Sequence, residues 1–486
     1  MKDFLNEDFL LQNEPAKILF HEYAETMPIF DYHNHLVPRQ IAEDMKFENL
    51  AHIWFDGDHY KWRLMRAFGI DEKYITGDST DYEKYQAWAR TVPFTVGNCL
   101  YQWTHMELKN PFGITGKLFG PDTAEEIWKT TGELLKQDDF SVCNIIRRMN
   151  VKVMCTTDDP VDPLDQHALI RKRHGGFVVV PTFRPDKALD VENPQAWNVY
   201  RAKLEAAAGM SIRSFEDFVR ALDKRHEFFH GLGARATDHA IVCPFAEEYS
   251  KDEIEEIFGR LTRNEALSQQ ETLQFKTAGL YEVGRMNHRR GWVMQLHMSA
   301  QRNNNSRQFK LHGPDSGYNS MADFAIAAPL ARFLDLLDRT DELPKTVLFS
   351  LNQNHNDILA AMAGNFMDGR IRGKVQFGAA WWFNDQKDGI ERHLVSIANM
   401  GMLAVFIGML TDSRSVFSFI RHEYFRRIVC NLIGRWIDEG ELPRDLKHIG
   451  GIVQDICYTN AARFFSLAKM GAKMGDGGSE ALCARS

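Results

Sequence analysis

The chain has 486 residues, 44% of them hydrophobic and 26% charged, enough apolar material for a sizeable core beneath a solvated surface. A formal net charge of −8 excludes the overall basic field that nucleic-acid binding draws on. The length suits two average domains or one barrel with large insertions.

The amino terminus, Met1-Lys2-Asp3-Phe4, carries an acid where a secretory signal needs an apolar run. The longest apolar stretch, 402–410 around Gly408, is far short of the roughly 20 residues that span a bilayer. Seven cysteines, at 99, 143, 155, 243, 430, 457 and 483, are scattered and form no Cys-x-x-Cys pair. That pattern points to reduced, mostly buried thiols in a cytoplasmic protein, not to disulfides or a thiolate metal site. The basic runs Arg171-Lys172-Arg173-His174 and Arg426-Arg427 read as solvated helix faces, and the tail from about Met470 as a frayed end. The expected partner is a small molecule, with neither nucleic acid nor membrane, and a homo-oligomer is left open.

In chain order, short apolar or β-branched runs each end in polar residues. Met27-Pro28-Ile29-Phe30 leads into Asp31-Tyr32-His33-Asn34-His35, and Val151-Lys152-Val153-Met154-Cys155 into Thr156-Thr157-Asp158-Asp159. The segment 177–181 leads into Thr182-Phe183-Arg184, 234–237 into Asp238-His239, and 292–296 into His297. The last three are 346–351 before Asn352, 374–378 before Trp381-Trp382, and 402–406 running on to Thr411-Asp412-Ser413-Arg414. Amphipathic stretches such as 214–229 and 321–337 separate most of these runs. Continuous apolar strands alternating with helices, eight times over, predict an α/β fold, a (β/α)₈ TIM-type barrel. The chemistry of such barrels sits at the carboxyl ends of the strands, where the polar clusters fall.

Residues 37–150 hold far more chain than one crossover helix needs. Helical patterning at 122–136 and 140–149, and an aromatic-rich part at 54–103, predict a mainly helical insertion. The expected organisation is a single barrel over 1–486, with 37–150 as a lid over its mouth.

His33-x-His35 is the strongest chemical element. Two residues apart on an extended chain, both imidazoles face one side, where they suit a divalent transition metal with open positions for carboxylate, water and substrate. Asp31, on the same face, suits a supporting contact. Asp412 ends the last strand and suits metal binding or proton transfer, with Arg414 beside it; a helix N-cap is its ordinary alternative. His297 is a candidate third histidine or a substrate contact. Arg184 and Arg302 can pair with a substrate carboxylate. Asp238 suits substrate hydroxyls or a structural role. Trp381 and Trp382 suit a sugar-binding wall or the core. His59-Tyr60, in Trp54-Phe55-Asp56-Gly57-Asp58-His59-Tyr60-Lys61-Trp62, reads from its residues as an aromatic-rich turn only.

At these residues the sequence resembles the uronate (glucuronate) isomerases of the amidohydrolase superfamily. The likeness runs nearly end to end. It is carried by Phe30-Asp31-Tyr32-His33-Asn34-His35-Leu36, Asp58-His59-Tyr60-Lys61-Trp62-Arg63, Cys155-Thr156-Thr157-Asp158-Asp159-Pro160 and Phe183-Arg184-Pro185-Asp186-Lys187. It continues in Leu296-His297 with Arg302-Asn303-Asn304-Asn305, in Gly378 to Asp385, in Thr411-Asp412-Ser413-Arg414-Ser415, and in Arg421-His422-Glu423-Tyr424-Phe425-Arg426-Arg427. The segment Asn352-Gln353-Asn354-His355-Asn356-Asp357 departs from that pattern.

The resemblance implies an aldose–ketose isomerase of hexuronate catabolism. It would interconvert D-glucuronate with D-fructuronate, and D-galacturonate with D-tagaturonate, through a cis-enediol. It implies His33, His35 and Asp412 as metal ligands. His59, Tyr60, Asp412 and Arg414 match catalytic positions, and Arg184, Asp238 and His297 other active-site positions. Binuclear members place Lys or Glu on the fourth strand, which here ends in Thr237-Asp238-His239, so one divalent metal is expected, zinc first, with manganese or another ion as alternative. The competing function is an amidohydrolase-type hydrolase or decarboxylase of another small carboxylated substrate.

Overall fold

Parallel strands form at seven of the eight expected places: Ile29–Asp31, Val151–Cys155, Val178–Val180, Ala236–Ile241, Val293–Met298, Lys345–Ser350 and Val375–Phe377. The computed structural model describes residues 3–173 and 175–467; His174, Cys483 and the tail from Met470 lie outside them. The first three strands pair in parallel with one another, and the fourth to seventh do likewise. Phe183 joins the two sets: it bridges in parallel to Asp158 on one side and to Thr237 on the other. The fifth strand is buried along its whole length, as a strand covered on both faces requires. Between the fifth and sixth strands, Ala300–Gln301 and Ser320–Met321 form a short antiparallel ribbon, so the helix expected at 321–337 begins only at Ala327 and runs to Asp338.

The eighth expected strand does not form as such. Leu403–Val405 is a 3₁₀ turn, and Gly408 has φ of 76° with its α-carbon against the Ile456 carbonyl. A side chain at Gly408 would collide with that oxygen, and the kink there keeps the segment from pairing as a regular strand. The chain nevertheless reaches the first strand: the Asp412 N–H donates to the His33 carbonyl (3.2 Å) and the His35 N–H to the Ser413 carbonyl (2.9 Å).

Between the first and second strands the chain is helical, with Leu50–Phe55, His59–Ala67, Asp81–Thr91, Cys99–Lys109, Ala124–Leu135 and Val142–Arg148 among its helices. Capping explains several starts. Thr80 and Glu83 make a capping box, and the Asp58 side chain accepts from the N–H groups of Tyr60 and Lys61. His59-Tyr60 is therefore the first turn of a helix, not merely a turn.

Arg426 and Arg427 are not on a solvated face. Both are buried on helix Ile420–Asp438: Arg426 donates to the carbonyls of Met27 and Pro28, and Arg427 to those of Glu7 and Phe9. Each guanidinium satisfies loop carbonyls that carry no ladder partner, and that need outweighs the cost of burial. Arg171 to Arg173 are exposed, as expected. Among the described residues six cysteines are free thiols, five of them buried. Among the described residues, no helix is long and apolar enough to cross a membrane.

Candidate metal centre and active site

The first strand ends on Asp31, a fully buried carboxylate. It accepts from Asn34 Nδ2 (2.9 Å), the Thr411 N–H (2.7 Å) and Thr411 Oγ1 (2.7 Å). Those bonds, with the two backbone bonds already described, seat Asp412 over the histidines. Its Oδ1 lies 3.2 Å from His33 Nε2 and 3.1 Å from His35 Nε2. Its Oδ2 accepts from Trp381 Nε1 at 2.7 Å. Asp412 adopts a left-handed backbone (φ 47°), a conformation aspartate tolerates better than most residues; it does not act as a helix cap, and Ser415 caps the following 3₁₀ turn instead.

Burial alone would raise the Asp412 carboxyl, but hydrogen bonding to His33 and His35 holds it well below the usual range. Burial also opposes charge on His33, yet Asp238 and Asp412 outweigh it and raise that ring. On His35 burial prevails over Asp412 and the ring is lowered.

Two imidazole nitrogens and one carboxylate oxygen converge here. The carboxylate oxygen stands from each nitrogen at the separation that adjacent ligands of one ion keep, roughly 3.0–3.5 Å for bonds near 2.0–2.2 Å, and all three atoms lie within 4.8 Å of one another. The donor set fits a divalent transition metal. A second group, His33 with Asp238 and His297, shares His33. Its carboxylate already has a cation, since Arg184 Nη1 is 3.1 Å from Asp238 Oδ2, which makes it the poorer metal site.

That second group forms the cavity floor. Asp238 is fully buried, with His297 Nδ1 at 2.7 Å and His33 Nδ1 at 3.9 Å. Burial would raise it, but Arg184, His33 and His297 hold its carboxyl well below the usual range. His297 stacks on Phe349 with centroids 4.3 Å apart, and its Nε2 is buried without a protein partner. Arg184 also donates to Asp186 Oδ2 at 2.8 Å.

Above this floor opens a cavity of about 340 Å³, within the roughly 300–1,000 Å³ typical of small-molecule sites. His33, His35, His59, Arg184, His297, Arg302, Trp381, Trp382, Asp412 and Arg414 all line it. The His59 ring meets Trp382 edge-on at 5.1 Å, and burial brings His59 down to about 4, so it is neutral. Arg302 donates to Asp315 (2.8 Å) and lies over Trp382. The Arg414 stem passes over Gly57, where a β-carbon would sit 2.4 Å from Arg414 Cδ, so glycine at 57 makes room for that arginine.

Not every expected residue reaches the cavity. Asp238 lies beneath it. Tyr60 lines an adjoining cleft with Asp412 and Arg414, and its hydroxyl donates to Asp385 at 2.6 Å. Trp381 borders the cavity, but its N–H is engaged with Asp412. His355 is tied to Ser350 and Ser299 and is not part of the cavity lining. Asp186, Asn303 and Asp315, none of them an expected site residue, also line the cavity. Asp186 was visible only inside the Arg184-Pro185-Asp186 motif, and Asp315 carries no local signal.

The family model described as Glucuronate isomerase matches residues 1–465. A uronate isomerase of Caldanaerobacter subterraneus subsp. tengcongensis is 49% identical over 468 residues, covering 96% of this chain and 100% of that protein. One from Salmonella newport is 52% identical over 470 residues, with the same coverage. Among solved structures, a uronate isomerase from Thermotoga maritima superposes with a TM-score of 0.90 at 35% identity, covering 96% of this chain and 100% of its own. A glucuronate isomerase from Caulobacter crescentus, at 23% identity and a TM-score of 0.88 over 95% and 97% of the two chains, shares the fold. The fold is thus that of the uronate isomerases, an α/β architecture compatible with the expected TIM-type barrel, and the chain belongs to the glucuronate isomerase family.

Proposed function

We propose that this isomerase interconverts D-glucuronate with D-fructuronate and D-galacturonate with D-tagaturonate, moving a proton between C2 and C1 through a cis-enediolate. Relatives at 49% and 52% identity over their whole length carry the isomerase name, which favours this chemistry over hydrolysis or decarboxylation. The observation that carries the reading is Asp412 Oδ1 standing within 3.2 Å of both His33 and His35 at a cavity of substrate size.

His33, His35 and Asp412 would hold one divalent ion, zinc first and manganese as the alternative. When bound, it supplies a Lewis acid where negative charge develops on substrate oxygen. The remaining steps belong to the chain. Asp412, ionised across the neutral range, takes the C2 proton, with Oδ2 oriented by Trp381. Arg414 stabilises the enediolate charge. Tyr60 carries protons on the oxygens, and neutral His59 offers a hydrogen bond without adding charge. Arg302 or Arg184 holds the remote carboxylate and fixes the orientation. Residues 37–150 act as a lid within one barrel over 1–486, and the free thiols fit a reducing cytoplasmic compartment.

The test is NMR on glucuronate in D₂O with purified protein. Fructuronate carrying deuterium at C1 is expected. Asp412→Asn should lower kcat by roughly 10²–10⁴. Chelation should abolish turnover, and zinc or manganese should restore it. Wild-type turnover by Asp412→Asn, or by protein free of metal on elemental analysis, removes the corresponding role.

A further inference from the structure

We propose that Asp385 is a positioning residue that holds the Tyr60 hydroxyl and accepts its proton during turnover, so that Tyr60 and Asp385 form a two-group proton relay at the edge of the active site. The proposal rests on the reading of Tyr60 as a proton carrier and extends it to a residue with no assigned part.

Three elements distant in sequence build the relay. Tyr60 is in the first turn of helix His59–Ala67, Asp385 follows the seventh strand, and Arg421 opens helix Ile420–Asp438. Tyr60 Oη donates to Asp385 Oδ2 at 2.6 Å, a short bond of the charge-assisted kind. Asp385 is only 5% exposed and Arg421 only 3%. Arg421 does not take the tyrosine's place. Its Nη1 is 3.9 Å from Asp385 Oδ2, beyond hydrogen-bond reach, and donates to the Thr411 carbonyl at 2.9 Å.

A buried carboxylate whose nearest donor is a neutral hydroxyl is costly as a mere brace, since an amide would hold the same hydroxyl without charge. The groups bearing on Asp385 are Tyr60, Arg421 and Asp412, with Tyr424 and Cys99 on the neighbouring helices. Burial is the largest influence and brings the Asp385 carboxyl up to about 6, against Arg421 and the Tyr60 bond. Both protonation states are therefore accessible near neutral pH.

The transfer balances without a co-reactant. As a substrate hydroxyl reaching the cleft that Tyr60 shares with Asp412 and Arg414 gives its proton to the Tyr60 oxygen, the original Tyr60 O–H bond breaks and that hydrogen passes to Asp385 Oδ2. The reverse transfers return both protons when the product oxygen is protonated.

The experiment compares metal-loaded Asp385→Asn, Tyr60→Phe and the double variant, with Asp385→Glu as rescue. Asp385→Asn should lower kcat about 100-fold with KM within about threefold. The double variant should be no slower than Tyr60→Phe alone, and Asp385→Glu should recover part of the loss. Wild-type kcat should fall as pH drops through about 6, where Asp385 ceases to accept, and that limb should vanish in Asp385→Asn and Tyr60→Phe. Losses that add in the double variant indicate independent bracing and overturn the relay. Full kcat in Asp385→Asn beside an impaired Tyr60→Phe overturns the relay and leaves the tyrosine's role standing; full kcat in Tyr60→Phe overturns both. If Asp385→Asn does not fold, the profile of Tyr60→Phe decides: a limb near pH 6 that survives there overturns the relay.

Discussion

Asp31 and Thr411, 380 positions apart, are joined twice: the Asp31 carboxylate accepts the Thr411 N–H on one oxygen and the Thr411 hydroxyl on the other, both at 2.7 Å. This pair fastens the irregular eighth segment to the first strand and sets where Asp412 meets His33 and His35.

Asp31→Ala leaves a buried N–H and hydroxyl unpaired. It should cost roughly 2–4 kcal/mol in urea unfolding, and the folded protein should bind its metal more weakly because the next residue is no longer seated. An unchanged unfolding free energy would show that the eighth segment is held by other contacts.

Trp381 and Trp382 are neighbours with different attachments. Trp381 Nε1 donates to Asp412, whereas Trp382 Nε1 is buried without a protein partner. Trp381→Phe should therefore lower kcat about tenfold with little change in KM, the effect of losing roughly one hydrogen bond to a charged group. Trp382→Phe should lower kcat less. Equal kcat losses in the two variants would remove the orienting role of the indole N–H.

Four buried histidines, His167, His226, His239 and His393, make the fold sensitive to acid. Burial lowers His167, His239 and His393 to about 4 and His226 to about 3, against an ordinary value of 6.5. Below pH 6.5 the unfolded chain binds protons that the folded chain refuses, so stability is lost as pH falls from about 6.5 toward 4. Each should contribute about 1–2 kcal/mol of loss between pH 7 and pH 5. Urea unfolding at the two values checks this, and a flat or rising stability toward pH 5 contradicts it.

Much of the site was legible because its residues follow strand ends, where a period-two pattern and a polar terminus coincide in the local sequence. His33, His35, His297, Arg184 and Asp412 were found that way. What was not legible depends on distant partners. Nothing local announces that Tyr60 meets Asp385, or that Asp238 lies under the cavity between a guanidinium and two imidazoles. Arg426-Arg427 looked solvated because charge in a helix usually is; the carbonyls that bury it come from the other end of the chain. The eighth strand was misjudged because apolarity alone does not show the kink at Gly408. Asp58 directly before His59 is a helix N-cap, the local signal that marks 59 as a helix start.

The cavity rim depends on an anchor outside it. Arg66, on the helix that also bears His59, donates to the Ser316 carbonyl at 2.6 Å, lies over the Tyr318 ring, and is itself held by both carboxylate oxygens of Glu72. The loop it grips carries Asp315, the partner of Arg302, and includes the left-handed Asp315 and Gly317. Arg66→Met keeps apolar contact with Tyr318 but loses the charged bonds. It should raise KM about tenfold, the equivalent of about 1.4 kcal/mol, while kcat changes less, because Asp412 and its histidines are anchored separately through Asp31. Limited proteolysis within 306–319 should quicken in parallel. A variant with unchanged KM and unchanged cleavage would mean that the rim holds its shape without Arg66, Arg63 from the same helix still donating to the Gly317 and Asn319 carbonyls at 3.0 and 2.9 Å.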